Sequence, residues 1–200
     1  MNKSNRKGAI TYALAQLKNK LSSKLTYHSL RHTQNDVLPG SIRLARQSDV
    51  SPVELDLVMV AAAFHDIGFT QGTADHEMVG CRIVTEVLPQ FGFSSRQIEQ
   101  VVGMIMATRL PQSPRNLLEA IIADADLSLL GRPDFLAYNL CLRQELANYG
   151  QPMDSQLWYE SQLAFLQNHA YFTAVAQALY NEQKQQNIDK ITKILSSLGA

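Results

Sequence analysis

The chain lacks most of what would staple, tether or electrostatically steer a protein. Only two cysteines occur in 200 residues, Cys81 and Cys141. No disulfide framework is available from them, and the expected setting is a reducing one, the cytoplasm. Net charge is absent, because 18 Lys and Arg balance 18 Asp and Glu. Proteins that hold nucleic acid by broad electrostatics carry excess positive charge, so this balance argues against that class. Long apolar runs are missing too. The longest, Leu57 to Phe64, has eight residues, too few to cross a bilayer. The N-terminal stretch has no h-region and no cleavage site, so no secretory signal is expected. There is no alternating strand pattern longer than a few residues, no internal repeat and no low-complexity linker. A content of 46% hydrophobic and 18% charged residues excludes a disordered chain and suffices for a core without staples.

Histidine is scarce and uneven. Of five, four (His28, His32, His65, His76) fall in the first 76 residues, and His169 stands apart.

What fills the sequence is helix. The first 35 residues carry seven basic side chains and no acid: Lys3, Arg6, Lys7, Lys18, Lys20, Lys24 and Arg31. Ala9, Ile10, Ala13, Leu14, Leu17 and Leu21 recur beside them at helical spacing, so they read as a solvated helix face rather than a phosphate-binding arm. Ser51-Pro52-Val53-Glu54 combines an N-cap serine, Pro at the first helical position and Glu three residues on. The helix it opens should stop at Gly68. Asp75 is placed to cap a helix through Val87, ended by Pro89. Ser94 and Gln97 form a second capping box, and Asn116 opens an apolar helix through Ala125. Gly131-Arg132-Pro133 breaks the pattern, and helices follow over 133–149, 155–168, 170–184 and 187–197. The polar stretch from Asn181 to Asn187 reads as an exposed helix end or turn. Pro39 should kink its helix, or start a new one capped by Asn35 or Asp36. The fold class is all-α: a compact single-domain helical bundle over 1–200, with helices of 131–200 packed on a core of about 25–130.

Three short motifs carry chemistry. His28 and His32, at i and i+4, lie on one helix face at metal-ligand spacing, and both could bind metal. His65-Asp66 ends a very apolar helix, where Gly68 would let the chain turn and both side chains converge on one point. An imidazole with a carboxylate is a good partial shell for a first-row divalent ion. Ile121 to Leu127 embeds Asp124 and Asp126 in core-like sequence. At i and i+2 they face different ways, so at most one easily reaches a shared metal, and the other could cap or hold a histidine.

In combination these residues resemble the HD superfamily of metal-dependent phosphohydrolases. The resemblance rests on Tyr27-His28-Ser29-Leu30-Arg31-His32-Thr33, on Ala61-Ala62-Ala63-Phe64-His65-Asp66-Ile67-Gly68 and on Ala123-Asp124-Ala125-Asp126-Leu127. It implies an HD-type helical core holding a divalent metal (Mn, Mg, Fe, Co, Ni or Zn). It implies hydrolysis of a phosphate ester or anhydride, often in a nucleotide, by metal-activated water. By its pattern the metal ligands are His32, His65, Asp66 and Asp126, with Asp124 as the alternative last ligand. Asp66 also orients the attacking water, and His28 matches a general acid. Ser29 departs from the Asn common in such motifs. His76-Glu77-Met78-Val79-Gly80 resembles the His-Pro-x-x-Gly element of the HD-GYP branch, whose histidine binds a second metal. The later histidine pair and Gly-Tyr-Pro signature of that branch are missing. His76 and Glu77 are placed at the substrate, with holding the attacking water or completing a weak second metal site as the alternatives, and Arg82 and Arg109, which can clamp phosphate, are placed at the substrate too. The implied partner is a small phosphorylated molecule, with neither membrane nor nucleic acid. Some relatives of this type bind nucleotide or metal without turnover, so a regulatory binding module is the alternative.

Overall fold

The computed structural model describes residues 4–199; Lys3 of the basic stretch lies outside them. Among the described residues there are nine α-helices and no strand. They are α1 (Arg6–Lys20), α2 (Leu38–Gln47), α3 (Pro52–Phe64), α4 (His76–Val87), α5 (Ser95–Met106), α6 (Leu117–Asp126), α7 (Phe135–Asn148), α8 (Ser155–Asn168) and α9 (Ala174–Leu198). None is long and apolar enough to cross a membrane.

The helix starts follow local chemistry. Ser51 Oγ accepts from the Glu54 N–H and Glu54 Oε2 accepts from the Ser51 N–H, a reciprocal capping box. Ser94 and Gln97 repeat it at α5. Asn116 Oδ1 accepts from the Glu119 N–H ahead of α6, and Thr173 Oγ1 accepts from the Ala176 N–H at the start of α9.

Four expectations are corrected. Ahead of Pro39 the chain is neither broken nor capped by Asn35 or Asp36. His32–Val37 forms a π-helical turn that runs into α2, and the Leu38 N–H bonds to the carbonyl of Thr33, five residues back. The wide turn accommodates a residue without an N–H. Asp75 precedes α4 with no side-chain cap bond, its backbone left-handed at φ 47°; its carboxylate instead accepts from Arg109 Nη2 at 3.0 Å. Helix α3 ends at Phe64, and Gly68 sits inside the 3₁₀ turn Ile67–Thr70. Lastly, 174–198 is one helix rather than two, so the Asn181–Asn187 stretch is neither end nor turn. Asn187 is fully buried, and its Nδ2 donates to the carbonyls of Leu130 and Arg132, both at 2.9 Å. A long-range pair of acceptors explains a buried amide in an otherwise polar run.

The chain divides into two compact units. One runs to Ser22 and resumes over His28–Asp126; the other holds Ser23–Tyr27 and the chain from Leu127 onward. In the first, α3 is the central helix, packed against α1, α2, α5 and α6. Its Ala61, Ala62 and Ala63 are fully buried, and such small side chains let neighbouring helices come close on several sides. In the second unit Leu130, Phe135, Leu166 and Ile191 form the core. Trp158, also buried there, donates its indole N–H to Asn139 Oδ1 at 2.7 Å.

Candidate metal centre

The first unit brings the three sequence motifs together. His32 enters from the π-helical turn, His65 and Asp66 from the end of α3, and Asp126 from the last position of α6. Single atoms of His32, His65 and Asp66 lie within 4.8 Å of one another, and all three residues are buried. Asp126 Oδ1 closes on the same imidazoles, 3.2 Å from His32 Nε2 and 3.5 Å from His65 Nε2. His65 Nε2 is 3.2 Å from Asp66 Oδ2, and His32 Nε2 is 3.9 Å from it. Asp124, two positions earlier on α6, is fully buried.

His65 is held in one orientation. Its Nδ1 lies 2.8 Å from the Ala62 carbonyl oxygen, to which it can only donate, and Nε2 is thereby turned to the cluster. No sequence signal marks Ala62 for this, because its backbone carbonyl is what matters. The buried Nε2 of His65 and Oδ2 of Asp66 make no hydrogen bond of good geometry. Two orphaned atoms aimed at one point, with a donor set of two imidazoles and two carboxylates, fit a divalent cation.

The electrostatics agree. Burial works against charge on His65, yet the Asp66 and Asp126 carboxylates hold its pKa well above the ordinary histidine range. Burial likewise opposes ionisation of Asp66 and Asp126, but the surrounding imidazoles keep both well below the usual carboxylate range. The two carboxylates therefore favour positive charge between them, which a divalent ion would supply.

Beside the cluster lie the remaining N-terminal histidines. His76 Nε2 is 3.8 Å from Asp66 Oδ1 and 3.5 Å from Glu77 Oε1. Burial lowers the His76 pKa, against the pull of Asp66 and Glu77. The His28 ring lies 6.2 Å from that of His32 and 6.1 Å from that of His76. Phe69, which the sequence motifs do not single out, packs against both His28 and His76. Arg82 and Arg109 are exposed: Arg82 donates to Gln71 Oε1 at 2.6 Å, and Arg109 is tied to Asp75, next to His76. Neither bonds to the cluster.

Gly68 has a function other than turning the chain. A Cβ there would lie 1.9 Å from the His76 carbonyl oxygen. The residue must be glycine so that the turn after the His-Asp pair can pack on the first residues of α4. That packing is what carries His76 to the cluster.

His169 stays outside. It caps the end of α8, stacks edge-on to Tyr171 with ring centroids 4.6 Å apart, and accepts from Lys184 through its carbonyl. Burial and Lys184 push its pKa down to about 4.

An all-helical scaffold here brings two histidines and two aspartates together at one place, a donor set that could hold a metal ion. The chain belongs to the HD domain family, whose model matches residues 27–128, just over half of its length. Solved structures share the fold. A predicted HD superfamily hydrolase from an uncultured Thermotogales bacterium is 17% identical over 96% of this chain and 92% of its own, with a TM-score of 0.65. Bacillus subtilis YpgQ, solved in complex with ADP, is 18% identical over 94% of this chain and 96% of its own, with a TM-score of 0.63. A Lactobacillus plantarum protein is 17% identical over 98% of this chain and 100% of its own, with a TM-score of 0.66. At these identities the likeness is one of fold. No curated protein matches the chain.

Proposed function

We propose that the protein is a metal-dependent phosphohydrolase that cleaves a phosphate ester or anhydride in a nucleotide or related small molecule. The observation that carries this reading is the convergence of His32, His65, Asp66 and Asp126. These four would hold the ion. When bound, a divalent ion supplies a Lewis acid and lowers the pKa of water from about 15.7 toward about 7.

The other roles fall to the chain. Asp66 has one carboxylate oxygen toward His65 and the other toward His76, so it can orient a water on its outer face. His28, at the edge of the cluster, donates a proton to the leaving oxygen. His76 and Glu77 contact the substrate beside it. Arg82, on α4, and Arg109, held by Asp75 just ahead of α4, clamp phosphoryl oxygens after exchanging their surface partners. The ADP held by the YpgQ structure supports a nucleotide-like substrate here. A reducing cytoplasmic setting suits the free Cys81 and Cys141.

The test is turnover of nucleotides, cyclic nucleotides and p-nitrophenyl phosphates by protein loaded with each of Mn²⁺, Mg²⁺, Fe²⁺, Co²⁺, Ni²⁺ and Zn²⁺. His65→Ala should lose both the ion and activity. Full metal content and activity in that variant would overturn the scheme. Tight nucleotide binding without turnover under any metal would instead establish a binding module.

A further inference from the structure

The histidines around the cluster are fixed by different means. His65 has its hydrogen bond to Ala62. For His76 the nearest carboxylate oxygens are 3.5 and 3.8 Å away, outside the range of a good hydrogen bond. What packs closely on it is Phe69, with ring centroids 4.0 Å apart and planes inclined by 22°. The same phenyl ring lies 4.5 Å from the His28 ring at 26°. One aromatic side chain therefore stacks on both imidazoles that flank the candidate metal ligands.

Phe69 is itself held rigidly. It is buried and sits in a 3₁₀ turn closed by its own N–H to the Asp66 carbonyl at 3.1 Å and by the Gln71 N–H to the Gly68 carbonyl at 2.9 Å. Thr70 Oγ1 adds a bond to the Ile67 carbonyl at 2.7 Å. Gly68, one residue earlier, packs without room for a Cβ against the His76 backbone. The turn and the start of α4 are thus fixed to each other before any side chain is placed. A phenyl ring binds no metal and moves no proton, so its effect on the site is geometric. Its flat face favours offset stacking of a second ring and restricts the torsions of both imidazoles.

We propose that Phe69 is a positioning residue that sets the ring planes and separation of His28 and His76 beside the metal cluster. The kinetic consequence rests on the phosphohydrolase reading; the placement of the two rings does not. A leucine in its place keeps an apolar bulk but loses the stacking face, whereas a tyrosine keeps the face.

The experiment compares wild type, Phe69→Leu and Phe69→Tyr as full-length, Zn²⁺-loaded protein. The imidazole Cε1 protons of His28 and His76 are assigned through His28→Gln and His76→Gln and followed by NMR. In wild type both should be shifted upfield by the phenyl ring current. In Phe69→Leu the NOEs from each Cε1 proton to neighbouring side chains should change, beyond the downfield movement that loss of the ring current alone produces, while the His65 NOEs and metal stoichiometry stay. In the same variant kcat should fall by roughly 10- to 100-fold with KM nearly constant, as expected for misplaced groups rather than lost binding. Phe69→Tyr should keep the upfield shifts and recover most of kcat. Phe69→Met replaces the leucine variant if the latter does not fold. Native His28 and His76 NOEs in the leucine or methionine variant would overturn the proposal. So would a tyrosine variant as slow as leucine despite native shifts. If wild type turns over no phosphorylated compound, the phosphohydrolase reading fails, and the NMR comparison alone still decides the role of Phe69.

Discussion

His32 Nε2 lies 3.2 Å from Asp126 Oδ1 across 94 positions of sequence. Asp124, two residues earlier on the same helix, is fully buried. This pairing predicts that the two aspartates differ in kind. Asp126→Ala should weaken metal binding by at least about 100-fold, since a ligand matters more than its outer partners, with the fold retained. Asp124→Asn should keep the ion but lose about 1–3 kcal/mol of stability from disturbed buried polar contacts. Calorimetric metal titration and urea unfolding of both variants check this. Equal metal affinity in wild type and Asp126→Ala would remove Asp126 from the ligand set.

Two glycines on either side of one contact give a paired prediction. At Gly68 an added methyl meets the His76 carbonyl at 1.9 Å, while at Gly80 its nearest neighbours are all at 3.7 Å. Gly68→Ala forces backbone apart and should cost about 3 kcal/mol or more, beyond ordinary overpacking because backbone cannot rotate away. It should also displace His76. Gly80→Ala fits and should lie within about 1 kcal/mol of wild type, with helix propensity in its favour. Thermal melts of the two variants decide it.

In the second unit, Asn187→Ala leaves the carbonyls of Leu130 and Arg132 without their amide donor. The buried Leu130 carbonyl loses its partner while the Arg132 carbonyl keeps the Phe135 N–H at 3.3 Å, so the expected cost is about 1–3 kcal/mol. Asn187→Asp should be worse, since a carboxylate offers those oxygens no proton at neutral pH. Guanidinium unfolding monitored at Trp158, which is buried in the same unit, reports the loss.

His169 supplies a pH prediction. Burial and the nearby Lys184 lower its folded pKa to about 4 from an ordinary 6.5. The unfolded chain therefore binds the proton more readily, and stability from this residue is fully present above about pH 6.5. It is lost progressively as pH falls toward 4. His169→Gln should flatten that part of the stability curve between pH 7 and 4. A variant curve parallel to wild type throughout would show that His169 is not the group responsible.

How much was legible in the sequence depended on the range of the interaction. Ser51 with Glu54, Ser94 with Gln97, and Asn116 signal their helices because capping is settled within four residues. The His-x-x-x-His spacing and the His-Asp pair at the end of an apolar run were visible for the same reason. Asp75 misleads, since its carboxylate turns to Arg109, 34 positions away. Asn187 misleads likewise: a polar residue amid glutamines reads as surface until two distant carbonyls appear. Phe69 carries no signal at all, because an aromatic after Ile67-Gly68 looks like any core residue.

The sequence by itself determined the helical class, most helix starts, the family resemblance and the candidate histidines and aspartates, all of which are written in local spacing and side-chain chemistry. The tertiary structure alone decided why position 68 must be glycine, and that Phe69 lies against both His28 and His76. Each of those depends on atoms brought together by helix packing, and packing distances are set by the whole fold rather than by any window of residues.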